Sequence, residues 1–180
     1  QPKRLFFEPY YVQSLTELAR TYGVPPRFLT LEILEGLALE NVDALNEKIV
    51  QLQSVGFRIS LDDFGSGFSS LNTLGKLRID ELKLDRGFLL GISSQEQARV
   101  RLILKEIVRI ARQLSISTVA EGVETAEDER LIREIGCDLG QGYLYSRPVS
   151  ADDFDAAFMQ SPPPRRLNGN GARACAVLPP

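Results

Sequence analysis

Phe57-Arg58-Ile59-Ser60-Leu61-Asp62-Asp63-Phe64-Gly65-Ser66-Gly67 is the stretch on which the reading of this chain turns. Ile59 and Leu61 fall on one side of a period of two, Ser60 and Asp62 on the other, the alternation of a half-buried strand. The strand runs out in two adjacent carboxylates and a loop with two glycines. Adjacent acids at a strand end suit hard divalent cations, which take oxygen ligands. Asp and Gly are also ordinary turn residues, so this stretch alone leaves a surface turn open. The ends of the other strands decide between the two.

Upstream, Val42, Leu45, Ile49 and Leu52 are spaced as one face of a helix that Gly56 closes. Before it, Leu29-Thr30-Leu31-Glu32-Ile33 alternates like a strand, with Glu32 on the polar face, and Tyr10–Tyr22 has helical spacing that stops at Gly23 and Pro25-Pro26. Downstream, residues 68–74 read as a short helix and Glu81-Leu82-Lys83-Leu84 as a strand with Lys83 opposite the two leucines. A long helix is predicted over about 95–114, then a strand Ser117–Glu121. Thr125, three residues before Asp128, caps a helix through Leu131, Ile132 and Ile135 that Gly136 ends. Leu139-Gly140-Gln141-Gly142-Tyr143 reads as a short strand, and Ser150 caps a last helix through Phe154 and Phe158. Asp80 and Asp85 read as caps or surface acids.

Strand and helix thus alternate, which implies parallel strands with helical crossovers. Near its C-terminal end each of the five strands carries a polar side chain: Glu32, Asp62, Lys83, Glu121 and Gln141. In a (β/α) barrel that end is the active-site face, so the series reads as a site. A Rossmann-type sheet would not converge polar groups from every strand on one point. The fold class is α/β, with one domain over residues 1–160. From Ser161 the composition changes to SPPPRRLNGNGARACAVLPP, a disordered Pro/Gly-rich tail over 161–180.

Composition narrows the chemistry. With 43% hydrophobic and 25% charged residues the chain reads as soluble and globular. A net charge of −3, from 21 Lys+Arg and 24 Asp+Glu, gives no footprint for double-stranded nucleic acid or an anionic membrane. No apolar run has the length of a membrane span, and residues 1–20 lack a signal-peptide pattern. Cys137 and Cys175 suggest neither a disulfide framework nor a zinc site, and a reducing cytoplasm is the simplest setting. Histidine is absent. Histidine-dependent triads and general bases are therefore excluded, and catalysis must run on carboxylates, lysine, amides and metal ions.

The motifs Glu32-Ile33-Leu34-Glu35, Leu61-Asp62-Asp63-Phe64-Gly65-Ser66-Gly67-Phe68-Ser69-Ser70, Asp80-Glu81-Leu82-Lys83-Leu84-Asp85, Ala120-Glu121-Gly122-Val123-Glu124-Thr125 and Gln141-Gly142-Tyr143-Leu144-Tyr145-Ser146-Arg147-Pro148 resemble, in order, those of the EAL-domain family. These bacterial phosphodiesterases open cyclic di-GMP to linear pGpG. The resemblance implies two Mg²⁺ or Mn²⁺ ions, with Glu32 on the first, Asp62 bridging both and Asp63 on the second. It implies Glu121 as a ligand of the second ion or the acceptor of the water's proton. Lys83 would hold the attacking water and Gln141 would orient it. Glu35 would brace the loop 63–70, and Arg147 would touch substrate. Two such cations, about 3.5–4 Å apart, neutralise phosphodiester charge and generate hydroxide near neutral pH.

The family is named for a Glu-Ala-Leu triplet on an early strand, and no such triplet occurs here. An Asn-containing strand of the family is also missing ahead of Tyr10. The expectation is therefore a partial TIM-like (β/α) barrel of about five parallel strands with flanking helices, an N-terminally incomplete portion that is weakly active or inactive. Unpaired edge strands would favour self-association, and the family's habit of dimerising implies a homodimer. The alternative to an enzyme is a non-catalytic cyclic di-GMP receptor or protein-interaction domain. Retention of Asp62, Asp63, Lys83, Glu121 and Gln141 favours an enzymatic parent. An enolase-like barrel shares acids and a lysine on successive strands, but the Asp-Asp-Phe-Gly loop and the Ala-Glu-Gly-Val-Glu stretch fit it poorly.

Overall fold

The computed structural model describes residues 6–38, 41–66, 71–89, 94–159 and 173–174. The chain forms two compact units, Gln1–Asp85 with Ala111–Ser117, and Arg86–Ile110 with Thr118–Pro180. The fold class is α/β, as the alternation of elements predicts.

In the first unit, helix α1 (Tyr11–Thr21) leads through a 3₁₀ turn, Pro26–Phe28, into β1 (Thr30–Leu34). A one-turn helix, α2 (Glu35–Ala38), and then α3 (Val42–Val55) carry the chain over to β2 (Arg58–Phe64). The Asn41 side chain accepts from the Ala44 N–H at the start of α3, and Gly56 ends it in the left-handed conformation. Leu45, Ile49 and Leu52, predicted as one helical face, are fully buried. After β2, α4 (Leu71–Leu74) precedes β3 (Glu81–Leu84). Residues 68–70 of the short helix expected here lie outside the described residues. β1, β2 and β3 pair in parallel, with Ile33 opposite Leu61 and Leu61 opposite Leu82. These three residues are buried. Polar residues of the same strands take the alternate positions: Glu32 is opposite Ser60, and Ser60 opposite Glu81.

Asp80 is not a surface acid. Its Oδ2 accepts from the Ile59 N–H at 2.8 Å and from Gln53 Nε2 at 3.0 Å, while its own N–H donates to the Ile59 carbonyl at 2.9 Å. It therefore locks α3, β2 and the entry to β3 at the end away from the candidate site. Asn46 of α3 adds two bonds to the same connection, to the Lys76 carbonyl and from the Arg78 N–H. Asp80→Ala removes the charged acceptor from two donors and should cost about 2 kcal/mol, lowering the melting temperature by about 4–8 °C. An unchanged midpoint in thermal denaturation would remove this role.

In the second unit, the 3₁₀ turn Arg86–Phe88 is followed along the chain by α5 (Ser94–Gln113), whose last residues belong to the first unit. β4 (Ser117–Ala120), α6 (Ala126–Ile135) and β5 (Leu139–Gly140) form a parallel crossover, with Val119 opposite Leu139 and Ala120 opposite Gly140. Thr125 and Asp128 make the full reciprocal cap at the start of α6, as predicted. Asp138 repeats the device of Asp80: its Oδ2 accepts from the N–H and the hydroxyl of Thr118, at 2.9 and 2.8 Å. The fifth strand is shorter than expected. Its ladder covers Leu139–Gly140, because the Tyr145 N–H turns back onto the Gly142 carbonyl at 3.1 Å. Ser150 caps α7 (Ala151–Phe154), which continues as a π-helical turn, Asp155–Met159. Of the stretch expected to be a tail, Arg173–Ala174 pair in parallel with Leu139–Gly140 as β6. The remainder, residues 161–172 and 175–180, lies outside the described residues.

Candidate active site

Two adjacent strand residues ordinarily face opposite ways, so Asp62 and Asp63 should not serve one site. The pairing of β2 with β3 removes that obstacle. Leu61 is opposite Leu82 and Phe64 is opposite Leu84, so Asp62 and Asp63 together stand against the single residue Lys83. This is a β-bulge, an extra residue in one strand. Asp63 takes a positive φ of 57°, which Asp tolerates better than most residues. The bulge also restores core parity, since Leu61 and Phe64, three apart, are both buried.

The Lys83 ammonium lies 2.7 Å from Asp62 Oδ1 and 2.8 Å from Glu32 Oε1. The Lys83 side chain is 7% exposed, that of Asp62 17% and that of Glu32 52%. A cation so deeply placed needs counter-charge, and the two carboxylates supply it. Asp62 Oδ1 is itself buried and makes no well-directed hydrogen bond among the described residues, so its contact with Lys83 is purely an ion pair. The buried Ser60 hydroxyl, two residues earlier on the same face, also has no hydrogen-bond partner among the described residues.

Partial burial raises the Asp63 carboxyl above the ordinary aspartate range. The charges of Asp62, Asp85 and Glu32 push it the same way, and Lys83 opposes them. Asp85, read from sequence as a cap or surface acid, thus acts on the site through its charge, and its N–H donates to the Phe64 carbonyl at 3.1 Å. A folded-state pKa above the unfolded one favours the fold below the unfolded pKa, and this advantage is lost as pH rises through the folded value. Asp63→Asn should therefore stabilise the metal-free chain at pH 7. The gain should shrink to nothing as pH falls below the ordinary aspartate range, as followed by melting temperature against pH. A variant that melts below the parent at pH 7 would contradict this balance of charge.

Glu35 begins α2 and is buried, and α2 packs on β1, β2 and α3. The loop it was expected to brace includes residues 67–70, outside the described residues.

In the second unit Glu121 directly follows β4, and Gln141 directly follows β5. The Gln141 N–H donates to the Ala120 carbonyl at 2.8 Å, and its carbonyl accepts from the Val123 N–H at 3.0 Å. The two bonds straddle Glu121, so its backbone and that of Gln141 are held side by side at neighbouring strand ends. Gly122 turns the chain away with φ +67°, and a Cβ there would stand 2.5 Å from Arg86 Cβ. Arg147 is exposed, with its guanidinium carbon 4.6 Å from the centre of the Tyr143 ring.

The donor set fits a hard divalent cation. Three carboxylates of the first unit, with Asp85 adding charge, exceed the single ammonium, and one of their oxygens is buried without a directed hydrogen bond.

An α/β chain whose parallel strands end in acids, a lysine and an amide has the architecture of the TIM-barrel class, in which such strand ends form the active-site face. More narrowly, this chain belongs to the EAL domain family, whose profile matches residues 2–148. It is 39% identical over 151 residues to the cyclic di-GMP phosphodiesterase NbdA of Pseudomonas aeruginosa, covering 81% of this chain and 19% of that protein. Among solved structures, it superposes on the MucR phosphodiesterase in complex with c-di-GMP with a TM-score of 0.76. That match has 34% identity and covers 86% of this chain and 68% of that one. A manganese and cyclic di-GMP complex of Klebsiella pneumoniae BlrP1 matches with a TM-score of 0.71 at 29% identity, over 79% of this chain and 36% of that one. The α/β fold is thus that of TIM-barrel EAL domains over part of their length. The chain spans about a fifth of NbdA. Among the described residues, no helix is long and apolar enough to cross a membrane.

Proposed function

We propose that this chain carries the metal-binding and water-activating part of a cyclic di-GMP phosphodiesterase, converting cyclic di-GMP to linear pGpG. The bulge that sets Asp62 and Asp63 together against Lys83 is the observation that carries this reading. Family membership and relatives described as cyclic di-GMP phosphodiesterases support the substrate.

Glu32, Asp62, Asp63 and Glu121 are the residues that would hold two Mg²⁺ or Mn²⁺ ions. When bound, such ions screen the phosphodiester's charge and lower the pKa of a bound water. Lys83 would hold the attacking water by hydrogen bonding, and Gln141 would orient it. Glu121 would be a ligand of the second cation or would take the water's proton. As the water oxygen bonds to phosphorus it gives up its proton to Glu121 or to solvent, one P–O ester bond breaks, and the departing sugar oxygen takes up a proton from solvent. Arg147 lies at the substrate's edge and Glu35 braces the loop after Asp63. A cytoplasmic setting and a second copy of the chain as partner accompany this reading.

The chain by itself should turn over slowly. Purified protein with Mn²⁺ and cyclic di-GMP should yield pGpG at a low rate that EDTA abolishes. Nucleotide binding in EDTA without turnover under any metal condition would favour a receptor instead, and no binding at all would overturn both.

A further inference from the structure

We infer that in the metal-free chain the Lys83 ammonium occupies the cation seat between Glu32 and Asp62, so that a divalent ion binding there must displace it. The inference rests on the metal reading proposed above and goes beyond it in giving Lys83 a second, opposing task. Its ground is the pair of contacts at 2.8 and 2.7 Å from one ammonium to carboxylates of two different strands. Lys83 is almost wholly enclosed, and Asp62 Oδ1 makes no directed hydrogen bond among the described residues. The ammonium therefore stands where the electrostatics of the site call for positive charge. Mg²⁺ draws carboxylate oxygens to about 2.0–2.1 Å. An ammonium and a divalent ion sharing the same two oxygens would repel, most of all beside Asp62, the less exposed of the two carboxylates. Binding must then swing Lys83 off at least one carboxylate, the position from which it can meet a water instead.

The exchange makes Lys83 a built-in competitor that keeps the empty site folded and lowers its affinity for metal. Titration calorimetry with Mn²⁺ alone, without nucleotide, tests this on the chain and on Lys83→Met. The variant should bind Mn²⁺ at least ten-fold more tightly, and its metal-free form should melt below the parent, a gap that saturating Mn²⁺ narrows. Equal or weaker binding by a folded Lys83→Met would overturn the inference while leaving the metal reading intact. No binding by either protein would overturn the metal reading and this inference with it. Should the variant fail to fold, the Lys83 side-chain NMR signals of the parent decide. They should shift on saturation with Mg²⁺, and an unmoved signal would overturn the displacement.

Discussion

Gly142→Ala is expected to lower the melting temperature by about 6–12 °C. A Cβ at position 142 would clash with the backbone N, C and O of Val123, and Val123 is itself fully buried. The backbone cannot yield as a flexible side chain would, because two bonds pin Val123 and a third pins the neighbouring Gln141. The Val123 N–H donates to the Gln141 carbonyl, the Leu144 N–H donates to the Val123 carbonyl, and the Gln141 N–H donates to the Ala120 carbonyl. Relief must come from moving Gln141 and the segment after Glu121, so turnover should fall together with stability. Overpacking of this kind costs about 3 kcal/mol. Gly36→Ala is the matching control. Nothing lies within 4 Å of the added carbon, and a helical Gly replaced by Ala gains about 0.5–1 kcal/mol. Equal melting temperatures for the two variants would show that the close approach of Gly142 to Val123 is not real.

Asp62→Ala should remove Mn²⁺ binding and pGpG formation altogether and destabilise the metal-free chain by about 3 kcal/mol. It removes the less exposed of the two first-unit carboxylates at Lys83; Glu32, which stays, has a half-exposed side chain, so that pair is partly screened by solvent. Glu32→Ala, by contrast, removes the screened partner and should cost about 1 kcal/mol or less. The ratio of the two costs, measured by denaturant titration in EDTA, reports which carboxylate is the principal counter-ion. If Glu32→Ala proves the more costly, Asp62 is not the principal partner of the ammonium.

Much of this architecture is written locally and can be read from the chain. The face Leu45, Ile49 and Leu52, the caps Thr125 and Gly56, and the strand Glu81–Leu84 all follow from period and capping chemistry. So do Glu32, Asp62 and Lys83 at one strand-end cluster of the first unit. What escaped was long-range. Asp80 sits in an ordinary run, Arg78-Ile79-Asp80, and nothing local shows that its carboxylate will meet Ile59, 21 residues away. Strict alternation would extend the last strand through Tyr143. It stops after Gly140 because the chain must turn against Val123, a constraint carried by an element 19 positions earlier. The bulge did leave a trace. Leu61-Asp62-Asp63-Phe64 puts two acids between two apolar residues, and no period of two can bury both ends of that run. A burial conflict inside a strand is the sign by which an extra residue could have been found.

That extra residue separates what the sheet needs from what the proposed reaction needs. With position 63 removed, Leu61, Asp62 and Phe64 become consecutive. Leucine and phenylalanine then share a side by plain alternation, and each meets the same partner on β3 as before. The shortened chain should thus fold and melt much as the parent does, while titrating little or no Mn²⁺. Loss of chemistry by a single-codon deletion, with the scaffold undamaged, is a route by which a relative could pass from hydrolase to mere nucleotide holder in one genetic event.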